Sequence, residues 1–424
     1  MNSIIPRSTT SAILKVPPVY WIYFAFLLSY LLFFFYPIFL SSGIMQFHKY
    51  IPHGETIGCD LELMLSYCDS LFIHGETPYI RSNLYPPLAI VFFAPLLLLP
   101  FSFAYKIVSI ITVTCYLLLG FTFLNTQRRN RQVLALWILI LLTGLISYGL
   151  QFELERGQFN LIAIAFCFFG IHIYHKSNKH RFLAYLLFIF SVQLKVYPLI
   201  FLVLFVEDWH DWKNNIKRFL SLISVNLALL FALGLEIFGD FIAAIKSQTL
   251  MPYVWSGNHS ILSFVSKTAL LTAEKGISFV RSNETILQLV LLLVVASCIV
   301  LILIRTFRMG SRGPDSFLWV ACSLGALLIP SVSHDYTLTV LTIPAALFLS
   351  KAVISLSAGA LTKRSSLLSN GMLFIFSLAY SMTLFPGTHK PIFLKNNLPA
   401  LILMLLIVTI LSFKLKSSKT AFDH

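Results

Sequence analysis

Charge is what this sequence has least of. Only 11% of its 424 residues are Asp, Glu, Lys or Arg, against about 25% in a soluble domain. That shortage excludes a water-exposed surface over most of the chain. Cysteine is also sparse: the six residues are scattered, mostly through apolar runs, where a thiol behaves as a small hydrophobe. No disulfide framework is readable, although Cys59 and Cys68 share one polar stretch and could pair. There is no His/Cys set at metal-ligand spacing, no glycine-rich phosphate loop and no nucleophile elbow, so those classes of chemistry are unsupported. Low-complexity tracts and internal repeats are missing as well, and the lack of repeat symmetry counts against a secondary transporter.

Hydrophobicity is what the chain has in quantity: 58% of residues are hydrophobic and 15% aromatic. The expectation is an all-α integral membrane protein, one polytopic domain over residues 1–424. The first apolar run, Pro17 to Leu40, is longer than a signal-peptide core of roughly 7–15 residues and reads as a retained span. A net charge of +14 raises the question of nucleic acid, and its distribution answers it. Basic clusters fall at Arg7/Lys15, Arg128 to Arg131, Lys176 to Arg181, Lys213 to Arg218, Arg305 to Arg312, Lys363-Arg364 and Lys414 to Lys419, each a short segment between hydrophobic runs. This is the positive-inside pattern of a multi-pass protein, not a nucleic-acid groove.

With those clusters in the cytoplasm, both termini are cytoplasmic. Full spans are predicted near 19–40, 103–124, 132–150, 158–174, 219–238, 285–304, 315–329, 336–351, 367–386 and 398–413, about ten in all. Two stretches do not fit as ordinary spans. Residues 86–100 are apolar but bounded and interrupted by prolines, which suggests an interfacial or re-entrant segment on the outer side. Residues 182–206 carry Gln193, Lys195 and Tyr197-Pro198 in mid-run, which suggests two short half-helices meeting near Lys195. Non-helical backbone at that depth is tolerated only where it is buried or lines a cavity.

Residues 58–87 form the long polar interval of the first loop. Asp60 and Glu62 precede an apolar periodicity of Leu61, Met64, Leu65, Cys68, Leu71 and Phe72, the signature of a one-sided amphipathic helix. Gly75, Pro78-Tyr79 and Tyr85-Pro86-Pro87 then give turn and helix-start signals. The predicted orientation puts this loop outside, with other unusual polar groups: Arg81, Glu153 to Asn160, Lys195, Asn258-His259-Ser260 and Ser333-His334-Asp335-Tyr336. Each has a plainer reading. Asp60 could be the wetted face of a surface helix, Glu155-Arg156 a local ion pair, and His334-Asp335 a loop tip. Asn258-His259-Ser260 is also formally a glycosylation sequon. Lys195 is the hardest to dismiss, because a lysine amid an apolar run must snorkel, pair with a carboxylate or meet an anionic ligand.

An Asp at the head of the first outer loop, Gly75-x-x-Pro78-Tyr79 and Tyr85-Pro86-Pro87 resemble the opening of glycosyltransferase family 87. Three later motifs match in order: Gly157-Gln158-x-Asn160, Lys195-x-Tyr197-Pro198 and Pro330 to Tyr336. The family belongs to the GT-C superfamily of polyprenyl-phosphate-sugar-dependent transferases. The resemblance implies a GT-C-like bundle, with residues 1–206 as a catalytic module that includes outer loop 41–85. Residues 207–424 would supply further spans completing the donor and acceptor cavity. It implies a mannosyltransferase-like enzyme of the cytoplasmic (inner) membrane, with its site on the outer side. The partners would be a polyprenyl-phosphate sugar, a glycolipid, polysaccharide or other hydroxyl acceptor, and the lipid bilayer, with no metal and no cofactor beyond the donor. Asp60 would be the general base, and His334 would bind donor or support the base. Lys195 and Arg156 would hold the donor phosphate. Tyr79 and Tyr85 would stack on sugar, with Glu155, Gln158, Asn160, Asn258, His259, Asp335 and Tyr336 as further substrate contacts. A flippase for a lipid-linked glycan is the competing expectation, and it should show polar lining on the cytoplasmic half as well.

Overall fold

The computed structural model describes residues 57–79, 83–125, 131–145, 147–255, 257–309, 315–357 and 397–411, with a few helical positions between 371 and 380. The expected span at 19–40, most of that at 367–386, Arg81, the clusters at 128–130 and 363–364, and both termini lie outside the described residues. The main elements are α1 (Cys59–Phe72), α2 (Pro87–Phe93) with a 3-10 turn at Ala94–Leu98, α3 (Phe101–Asn125), α4 (Arg131–Leu145), α5 (Tyr148–Arg156) and α6 (Asn160–Lys176). There follow α7 (Arg181–Leu194), a 3-10 helix at Tyr197–Phe205, α8 (Trp212–Leu230), α9 (Leu235–Leu250), α10 (Ile261–Ala273) and α11 (Phe279–Ser282). The last are α12 (Glu284–Met309), α13 (Ser316–Leu328), a 3-10 helix at Asp335–Leu341, α14 (Thr342–Ser357) and α15 (Leu398–Leu411). Among the described residues there is no strand; one isolated bridge pairs Asn258 with His334.

Among the described residues, three helical stretches are long and apolar enough to cross a membrane: Phe101–Leu124, Val133–Arg156 (α4 and α5 taken together) and Glu284–Met309. The pair α8 and α9 would make a fourth, but it is bent by 105°. The single straight span expected at 219–238 is therefore corrected. Gly234, at φ 99°, takes a backbone conformation that L side chains rarely adopt, and the chain turns there before Leu235. Residues 87–98 are a short helix and a 3-10 turn, well below the ~20 residues that cross a bilayer.

The core forms around α6. Its Gly170 lets α7 approach so closely that a Cβ would stand 2.8 Å from the Ala184 carbonyl. The Ser191 hydroxyl, in α7, donates to the Ala163 carbonyl at 2.6 Å. Phe168 meets Trp319 of α13 edge-on at 4.7 Å and Phe201 at 5.2 Å. α7 ends at Lys195, whose extended backbone (φ −145°, ψ 136°) breaks the helix before Tyr197-Pro198 starts the 3-10 helix. The far ends of the two elements stay together, for Arg181 pairs with Glu207, and His175 of α6 bonds the Leu204 carbonyl at 2.7 Å.

α1 is the amphipathic helix its periodicity predicts. Asp60 and Glu62 stand in the first turn, where carboxylates complement the helix dipole, and Leu61, Met64, Tyr67 and Cys68 are buried. Cys59 and Cys68 are both free thiols. Cys68 donates to the Ile90 carbonyl at 3.2 Å while Cys59 accepts from Arg156, so the possible disulfide is excluded by where the helix points them.

Candidate active site

Two glycines bring the site together. Gly58 (φ 78°) opens α1, and Gly157 (φ 66°) ends α5. A Cβ on Gly157 would stand 2.9 Å from Leu61 Cβ and 3.2 Å from Gly58 Cα. Side chains at these turns would push α1 away. The Gly58 amide also donates to the Glu155 carbonyl at 2.7 Å. Asp60, in the first turn of α1, is thereby set against Gln158, just past α5.

The Gln158 side-chain amide then links a carboxylate to a cation. Its Nε2 donates to Asp60 Oδ2 at 2.6 Å and to the Tyr85 hydroxyl at 2.9 Å. Its Oε1 accepts from Lys195 Nζ at 3.0 Å. The Lys195 ammonium is surrounded by the rings of Tyr85, Phe159 and Tyr336 at 4.6, 4.8 and 5.3 Å, a cation–π cage that holds it without neutralising it. On the other side of Asp60, Arg156 approaches Oδ1 at 3.6 Å and lies over the Phe152 ring at 5.3 Å. With 39% and 24% of the two side chains exposed, such a pair contributes about 0–1 kcal/mol, so its effect is to orient rather than to stabilise. Burial pushes the Cys59 thiol up, leaving it an uncharged acceptor of the Arg156 N–H bond.

A second cluster faces this one. Asp335, buried, accepts from the Tyr148 hydroxyl at 3.0 Å and bonds His259 Nε2 at 2.8 Å. Asp335 is thus partnered by His259 and not by its neighbour His334, because the bridge at Asn258 and His334 sets the two loops side by side. Asn258 donates to the Tyr253 and Ser331 carbonyls and accepts from the Ser333 amide at 2.9 Å. It is buried in the loop junction, which leaves no room for a glycan on the formal sequon. The His334 ring meets Tyr253, Trp255 and Tyr336, and its Nδ1 has no hydrogen-bond partner among the described residues.

Other expected contacts are turned to structural use. Tyr79 packs on Phe241 of α9 at 5.7 Å and donates to the Tyr85 carbonyl at 2.8 Å, so it buttresses the loop instead of presenting a stacking face. Asn160, fully buried, accepts from the Tyr197 hydroxyl at 2.7 Å and donates to Thr339 at 3.2 Å. Glu155 meets α1 through its backbone carbonyl. Two residues of consequence carry no predicted role: Trp255, absent from the predicted polar groups, and Glu153, named only as the start of the polar stretch to Asn160. Glu153, fully buried, accepts from the Leu161 amide and from Thr339 Oγ1, the latter at 3.4 Å. The signal for Glu153 was its helical spacing with Gly149 and Leu150, which puts a carboxylate on the buried face of α5.

Apolar helices of membrane-crossing length, with a carboxylate, an amide and an ammonium chained beside their ends, describe a membrane protein with a charge-paired polar site. The chain belongs to glycosyltransferase family 87, whose family model matches residues 83–333, and is on that ground a membrane glycosyltransferase. The match contains Tyr85, Arg156, Gln158, Lys195 and His259; Asp60 precedes it, and His334 follows it directly. No curated protein and no solved structure matches.

Proposed function

We propose that this glycosyltransferase moves a hexose, such as mannose, from a polyprenyl-phosphate donor to an acceptor hydroxyl at the outer face of the cytoplasmic membrane, with inversion. The observation that carries the reading is the Gln158 amide joining Asp60 to Lys195. An inverting transfer needs a base on one side of the anomeric carbon and a charge stabiliser on the other. Asp60 takes the proton of the acceptor hydroxyl as its oxygen bonds to the anomeric carbon. The bond from that carbon to the phosphate oxygen breaks, its electron pair leaves on the polyprenyl phosphate, and Lys195 stabilises the charge. Arg156 holds Asp60 in place, and His334 supports the base. The scheme needs no metal and no cofactor. The acceptor is a glycolipid, a polysaccharide or another hydroxyl compound.

The architecture that suits this is a GT-C-like bundle of about ten spans, with α7 and the 3-10 helix as half-helices meeting at Lys195. The test uses purified protein and a labelled polyprenyl-phosphate sugar. Asp60→Asn should lower transfer by about 10²–10⁴-fold, the usual contribution of a positioned base. Glu62→Gln, on the exposed face of α1, should leave it unchanged. Wild-type turnover in the Asp60 variant, or donor crossing a bilayer uncleaved, would overturn the reading.

A further inference from the structure

Asp60 has two differently furnished sides. Its Oδ2 faces Gln158 and, through it, the caged ammonium of Lys195. Its Oδ1 faces Arg156, which lies over Phe152, and Phe152 opens onto an aromatic group of a different kind. Phe152 stacks on Tyr336 at 6.1 Å and 15° and meets Trp255 at 6.1 Å. Trp255 stands 5.4 Å from His334, and Tyr253 stands 5.8 Å from the same imidazole at 90°. Pure packing would bury these rings and satisfy the imidazole. Instead Tyr253 is 56% exposed, Trp255 is only partly buried, and His334 Nδ1 has no hydrogen-bond partner among the described residues. Gly257 lets the Trp255 ring lie close beside Asp335, for a Cβ there would stand 2.4 Å from the Trp255 ring and 2.7 Å from Asp335 Oδ2.

We infer that Trp255, with Tyr253 and His334, forms a subsite for a pyranose ring of the acceptor, on the Arg156 side of Asp60. This rests on the transferase reading above. Aromatic faces with one or two placed polar atoms suit a ligand whose C–H face is apolar and whose rim is hydroxylated. His334 Nδ1 supplies one such atom. In-line displacement puts the attacking oxygen opposite the leaving phosphate; Arg156, the cation on this side, is paired with Asp60, whereas the Lys195 ammonium bonds a neutral amide, so the phosphate is assigned to the Lys195 end and the acceptor to this one. There the ring would hold one hydroxyl against Asp60. That hydroxyl gives its proton to the carboxylate, its oxygen bonds to the donor's anomeric carbon, and the phosphate oxygen leaves with the electron pair of the broken bond.

The test measures binding and transfer separately. Nanodisc-embedded protein is titrated with methyl glucopyranoside, methyl mannopyranoside and methyl galactopyranoside, read by saturation-transfer NMR of the sugar protons. Wild type should bind at least one of them saturably. Trp255→Ala should bind about tenfold more weakly, the factor that ~1.4 kcal/mol corresponds to, and Trp255→Phe should recover most of the loss. Tyr253→Ala, at an exposed position whose truncation spares the fold, should also weaken binding. No saturable binding in wild type, or unchanged binding in Trp255→Ala and Tyr253→Ala, would overturn the subsite. If hexoside binds with this dependence but labelled polyprenyl-phosphate sugar yields no product, the transferase reading fails and the subsite stands. If product forms and Trp255→Ala keeps the acceptor KM of wild type, the subsite fails and the transferase reading stands.

Discussion

His334 lies in a loop, yet burial pushes its imidazole down to about 4. Asp60 and Asp335 draw a proton toward it, while Lys195 and His259 oppose one. The ring is therefore neutral at neutral pH, with one nitrogen able to accept. Because its folded value lies below the ordinary value of about 6.5, the unfolded chain binds more protons between those limits. The stability tied to the neutral ring is complete above pH 6.5 and is lost as the pH falls toward 4. Melting temperatures of wild type and His334→Gln, measured from pH 7.5 to 5, should show the wild type falling further; parallel slopes would place the protonation elsewhere. Several residue assignments were legible because they depend on period alone. Asp60 and Glu62 are two positions apart, about 200° around a helix, and Glu62 is the exposed one. Others depend on which loops meet, as when Asp335 bonds His259 from 76 residues away rather than its neighbour. No spacing encodes that pairing.

A helix break is easier to read from sequence than a helix contact. The break at Lys195 is announced by Tyr197-Pro198, since proline restricts the residue before it and lacks an amide donor. The contact between α1 and the turn after α5 is carried by two glycines 99 residues apart in the sequence, and nothing in their local sequence says that they touch. Gly157 tests that contact against Gly75, which has a similar φ of 70° but nothing within 4 Å of its virtual Cβ. Gly75→Ala should cost the left-handed conformation alone, ~1–2 kcal/mol. Gly157→Ala should add the crowding against Leu61 and Gly58, about 1–3 kcal/mol more, and should also reduce transfer by moving Asp60 off Gln158. Thermal unfolding in detergent compares the two. Equal losses would mean that the close approach of α1 is not under steric control. The 105° bend between α8 and α9 was hidden for a related reason: Phe231 to Gly234 continue an apolar run, and hydropathy alone does not distinguish a turn at the membrane surface from a continuing span.

The molecule has two polar ends with an apolar body between them. At one end stand Asp60, Gln158, Lys195 and the loops carrying His259 and His334. At the other, Arg181, Tyr185, Asp211 and Arg218 line a cavity of about 450 Å³, and Arg218 donates to the Phe205 carbonyl at 2.8 Å. α7 runs from one end to the other, its 14 residues covering about 21 Å at 1.5 Å per residue. The two ends differ in charge as the basic clusters of the sequence do. Lys176 to Arg181 and Lys213 to Arg218 belong to the second end, and α1, with Asp60 and Glu62 in its first turn, belongs to the first. The proposed orientation, by the positive-inside rule, has the second end in the cytoplasm and the candidate site outside. Two exposed positions decide this in a variant whose native cysteines are replaced. Glu62→Cys, on α1, should react with a membrane-impermeant maleimide in intact cells, and Lys213→Cys, in the first turn of α8, only in inverted vesicles. Labelling of both from the same side would break the link between charge distribution and orientation, and with it the outer placement of the transfer reaction. Labelling from opposite sides in the reverse sense would put Asp60 and Lys195 in the cytoplasm, where a soluble sugar nucleotide could serve as donor in place of a polyprenyl phosphate.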